Sequence, residues 1–71
     1  MIAQVITGRL TYIDTEENLI QIMDKVDSQV TDLDIDAQTK LPASFGWERL
    51  VGEDVEAVVI DGRAESICLL A

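Results

Sequence analysis

Gln29-Val30-Thr31-Asp32-Leu33-Asp34-Ile35-Asp36-Ala37-Gln38-Thr39 is the stretch on which the fold turns. Thr31, Leu33, Ile35 and Ala37 share one parity, and Asp32, Asp34 and Asp36 share the other. A helix would scatter three aspartates spaced two apart around its axis, whereas a strand aligns them on one face. The segment therefore reads as a strand with an apolar side and an acidic side.

The same period of two extends outward in both directions. Ile2 to Ile13 is rich in β-branched residues and interrupted by Gly8, which marks a bulge or a sharp bend. Ile2, Ile6, Leu10 and Tyr12 fall on one parity of that run. Asp14-Thr15-Glu16-Glu17-Asn18 reads as a hairpin loop with Asn18 in a left-handed conformation. Leu19 to Met23 is a second strand, and Asp24 to Ser28 is a turn. Between Leu41 and Val51 the period is lost, and Pro42 can open one helical turn there, while Gly46 opposes a long helix. Val55 to Ile60 and Arg63 to Leu70 form a last hairpin around Asp61-Gly62, a strong signal for a type I′ turn. In an uninterrupted register that hairpin puts Val58, Ile60, Ile67 and Leu69 on one face, with Val55, Ala57, Val59, Ala64 and Cys68 on the other. Two apolar faces predict a homo-oligomer formed through the C-terminal hairpin.

Five short strands without a helical crossover exclude a parallel α/β sheet and predict an all-β, five-stranded antiparallel small barrel. The expected type is OB-like, with an SH3-like barrel as the alternative. One short helical turn or ordered loop is expected between strands three and four. The whole chain, 1–71, is expected to be one small barrel domain.

Composition narrows the function classes. The chain carries 14 Asp+Glu against 5 Lys+Arg, a formal charge of −9, with one cysteine and no histidine. Without histidine there is no Ser-His-Asp triad, Cys-His pair or imidazole ligand, and one cysteine makes neither an internal disulfide nor a thiolate zinc site. We expect no enzyme, no cofactor and no metal site. Single-strand binders need a basic groove with stacking aromatics, so nucleic acid is disfavoured as a partner. No apolar run is long enough to span a bilayer, and Met1 to Val5 lacks the basic start of an export signal. Together with the single cysteine, this gives a cytoplasmic expectation.

Two groups stand out as candidates for partner binding. Asp32, Asp34 and Asp36 resemble the opening of a calcium loop. Ala37 and Ala43 occupy the places where that loop needs Gly and Glu. A solvated face that discourages edge pairing explains the aspartates as well. Phe45 and Trp47 are either a plug for one barrel end or a partner hot spot. Cys68, within Ile67-Cys68-Leu69-Leu70, reads as a small buried hydrophobe. These features predict a non-catalytic protein-interaction module with a protein partner, basic in character. An acidic nucleic-acid mimic that blocks a basic nucleic-acid-binding protein is the alternative.

Val5-x-x-Gly8-x-Leu10-x-x-Ile13-Asp14, Asn18-Leu19-Ile20-x-Ile22, Asp36-Ala37-x-Thr39, Leu50-x-Gly52-x-Asp54-Val55-x-Ala57 and Asp61-Gly62-x-Ala64-x-x-Ile67 together resemble a family of bacterial OB-type small β-domains of unknown function. The resemblance covers about 60 residues and rests on turn glycines and core aliphatics. It implies the barrel and carries no activity or site residues.

Overall fold

A computed structural model of the chain describes residues 2–70. Its elements run β1 (Ala3–Asp14), β2 (Leu19–Met23), β3 (Val30–Asp34), α1 (Trp47–Leu50), β4 (Asp54–Ile60) and β5 (Arg63–Leu69). The strands close into a barrel in the order β1-β2-β3-β5-β4, the arrangement of an OB-type fold. Strand β1 is long enough to serve two neighbours, pairing with β4 through Ala3–Arg9 and with β2 through Arg9–Asp14. The closing contact is parallel and short, with Asp34 opposite Arg63. Lys40 extends the closure by donating to the Glu65 carbonyl at 3.1 Å and accepting from the Ile67 amide at 2.8 Å.

The core is aliphatic. Leu10, Ile20, Ile22, Leu33, Ile35, Leu50, Val55, Ala57, Val59, Ala64 and Ile67 point inward, and the half-buried Phe45 and Trp47 pack against them. Period-two patterning puts Ile20/Ile22, Leu33/Ile35 and Val55/Ala57/Val59 inside, as their strands require. Asn18 (φ 56°), Asp61 (φ 53°) and Gly62 (φ 78°) adopt the left-handed conformations of their hairpin turns.

The structure corrects several expectations. β1 contains one extra residue, Thr11, between Leu10↔Ile22 and Tyr12↔Gln21. That bulge reverses parity, so Tyr12 is exposed and Ile13 turns toward the core. A second bulge leaves Glu65 unpaired between Val58↔Ser66 and Val59↔Ala64. As a result Ile67 is buried opposite Ala57, while Ile60, opposite Arg63, lies on the outer face. The uninterrupted register is therefore wrong, and the argument for a homo-oligomer through this hairpin loses its basis. Cys68 is exposed rather than buried. The third strand ends at Asp34, so Ala37 is exposed in a turn. Pro42 accepts the Phe45 amide in a single turn, and the helix itself starts only after Gly46.

Candidate functional site

The sequence candidates do not converge. Asp32 projects outward in register with Gln21, and Asp34 pairs with Leu19 and Arg63. Asp36 has left the strand, and its side chain accepts the Gln38 amide at 2.8 Å. Arg63 binds Asp36 at 3.3 Å and also contacts Glu65. The three aspartates thus share no common focus, and two of them neighbour a guanidinium. Phe45 carries Arg49 over its ring at 4.7 Å, and both it and Trp47 serve as core cover.

The polar groups that do converge lie at the other end of β3, where β2 ends and β4 begins. The local sequence builds this mouth in three steps. Gly8 lets β1 and the end of β2 touch, because a Cβ there would stand 2.3 Å from the Met23 carbonyl oxygen. Asp24 then stops β2: its Oδ1 accepts the amides of Val26 (2.8 Å) and Asp27 (3.3 Å), an Asx-type turn. Finally, Leu10 accepts the Gly52 amide at 2.7 Å and donates to the Glu53 carbonyl at 3.0 Å, which delivers Asp54 beside β1.

The resulting cavity, about 390 Å³, is lined by Thr7, Gly8, Asp24, Lys25, Val26, Asp54 and Leu70. Lys25 Nζ donates to Asp54 Oδ2 at 2.9 Å, and Arg9 Nε lies 3.7 Å from Oδ1. Lys25's hydrogen bond, followed by the charges of Lys25 and Arg9, holds the Asp54 carboxyl below the usual carboxylate range against an opposing desolvation effect. Oδ1 is nonetheless buried without a hydrogen-bond partner, because 3.7 Å is too long for one. It is an acceptor shielded from water and short of a donor. Sequence reasoning missed this site. Gly8 was legible as a bend and Asp54 as part of a turn, but nothing along the chain marks residues 8, 24 and 54 as neighbours.

Solved structures share this architecture. Silver-bound CusF matches with a TM-score of 0.74 and 21% identity, over 99% of this chain and 100% of that one. A tryptophan-to-alanine variant of Escherichia coli CusF with Cu(II) matches at 0.64 and 19%, over 97% and 92%. Metal-free E. coli CusF matches at 0.60 and 22%, over 99% and 92%. These likenesses establish the fold. No family model matches the chain, and no curated protein matches it.

The neighbours correct the functional expectations. Small barrels of this shape are solved with Ag(I) and Cu(II) and are named for bound metal. That finding overturns both the protein-interaction module and the acidic nucleic-acid mimic, and it replaces "unknown function" as the description of structurally similar domains. CusF is a periplasmic protein of E. coli, which removes the cytoplasmic expectation as well. That expectation rested on one cysteine together with the apolar-run and N-terminal patterns, and none of these identifies a compartment.

Metal-binding neighbours make the donor set the next test. Ag(I) and Cu(I) prefer soft sulfur ligands. Among the described residues the sulfurs are Met23 and Cys68. Met23 ends β2, and Cys68 lies on β5 opposite Glu56. Strands β1 and β4 intervene on one side, three interstrand spacings amounting to about 14 Å along the sheet. On the other side β3 intervenes, and it meets β5 only at Asp34 and Arg63. The two sulfurs therefore cannot share an ion, and no group of three His, Cys, Asp or Glu among the described residues is placed to hold one. A soft cation does not fit these donors. The donors that the mouth does offer are oxygens, Asp54 Oδ1 and the carboxylate of Asp24 across the same cavity.

Proposed function

We propose that this chain is a non-catalytic, single-domain cation binder that takes an oxygen-preferring divalent ion at the Asp24–Asp54 mouth. The buried, unpartnered Oδ1 of Asp54 carries this reading. An ionised carboxylate oxygen held away from water gains most from a cation beside it, because little solvent screens the pair. Asp24 supplies a second carboxylate, and water would complete the shell, as is usual for ions held by one or two protein carboxylates. The metal-bound barrels of the same topology support the reading. So does the charge of −9, which concentrates cations around the domain. Lys25 occupies the other oxygen of Asp54, so an entering divalent ion displaces its ammonium and adds one net positive charge to the mouth.

A thermal melt tests it. Millimolar Mn²⁺ or Ca²⁺ raises the midpoint of the wild type by mass action, and Asp54→Asn abolishes the gain. No shift for either ion, or an equal shift in Asp54→Asn, would refute the site.

A further inference from the structure

The barrel shape matches chains solved with a thiophilic ion, yet the sulfurs among the described residues are dispersed. We infer that the strand face around Met23 rejects Ag(I) and Cu(I), and that the cross-strand row Arg9–Met23–Val30 is what excludes them there. The inference builds on the proposed oxygen-donor site but is tested separately from it.

The physical case lies on the outer face of β1, β2 and β3. Met23 is directly opposite Arg9 on one side and Val30 on the other. Residues directly opposite in adjacent strands project to the same face, with Cβ atoms about 5 Å apart. The thioether of Met23 therefore stands between a guanidinium and an alkyl group. Val30 offers no lone pair. Arg9 offers a permanent positive charge at the adjoining position of β1, and its guanidinium also reaches Asp54 on β4, 3.7 Å from Oδ1. A monovalent cation approaching the sulfur meets that charge and finds a single weak ligand.

Soft ions gain their affinity from two or more polarisable donors on one centre. Three long thioether side chains in one cross-strand row would reach such a centre. Here only the middle position supplies a sulfur.

The test is Ag(I) titration by calorimetry, with all variants in a Cys68→Ser background so that the exposed thiol contributes nothing. The parent shows no saturable binding. Arg9→Met combined with Val30→Met gains saturable binding of one ion per chain, and the further change Met23→Leu loses it. A circular dichroism melt confirms that each variant is folded. If Val30→Met combined with Arg9→Lys, which keeps a positive charge, binds as well as the double methionine variant, the role of Arg9 is refuted. Saturable binding by the parent that disappears in Met23→Leu overturns the inference. A folded double methionine variant that fails to bind overturns the assignment of the row. A negative result in the Mn²⁺ and Ca²⁺ melts removes the oxygen-donor site but leaves these silver outcomes unchanged.

Discussion

Replacing Gly8 with alanine tests the close approach of β1 to the end of β2. The added Cβ would stand 2.3 Å from the Met23 carbonyl oxygen, 2.9 Å from the carbonyl carbon and 3.0 Å from Ile22 Cγ2. Two of these atoms belong to the backbone of the neighbouring strand, so no side-chain rotation relieves the clash. Strand β1 must move from β2 at Met23, where the register still pairs Arg9 with Met23. Overpacking of a well-packed site costs roughly 1–3 kcal/mol, and an obstacle made of backbone puts this case at about 3 kcal/mol. Gly8 is not among the residues with positive φ, so alanine is free of conformational strain there. Alanine also lowers the entropy of the unfolded chain, which returns about 0.7 kcal/mol. The net destabilisation is about 2 kcal/mol. For a domain this small, that lowers the midpoint by roughly 8–16 °C. Thermal and urea melts followed by circular dichroism measure it, with Gly52→Ala as a comparison in which a Cβ meets open space but φ is 92°. A Gly8→Ala protein within about 0.5 kcal/mol of wild type would refute the claim that β1 and β2 meet through a missing side chain.

Three further outcomes follow from the same structure. Gly62→Val destabilises by more than about 1 kcal/mol in a urea melt, because Gly62 sits at φ 78° and a β-branched residue strains there. Asp54 is held below its usual range by Lys25 and Arg9, so its contribution is present above the unfolded pKa, about 3.9, and is lost as pH falls through the folded value. Stability measured against pH should therefore fall less steeply on the acid side of pH 4 in Asp54→Asn than in wild type. Raising KCl from low to molar concentration should raise the melting midpoint, since 14 acidic groups against 5 basic ones repel across distances that salt screens. A midpoint that is unchanged or lowered would count against self-repulsion.

The elements themselves were legible along the chain. Alternation in Leu19–Met23, Thr31–Ile35 and Val55–Ile60 selects strands and their buried faces, because a side-chain period of two is a property of each strand alone. Asn18 and Asp61-Gly62 likewise disclose their turns, since a left-handed backbone is a local demand. Five strands and one helical turn then leave a small barrel as the means of covering an aliphatic core. The bulges at Thr11 and Glu65 could not be read in this way. An extra residue in one strand is defined only against its partner, and it reverses the parity of everything beyond it, as at Tyr12 and Ile67. The closure of β3 on β5 and its reinforcement by Lys40 also depend on partners distant in sequence. The mouth is the extreme case. Gly8, Asp24, Lys25 and Asp54 carry no common motif, and their chemistry exists only because β1 is shared between β2 and β4 and brings the end of one strand to the start of the other.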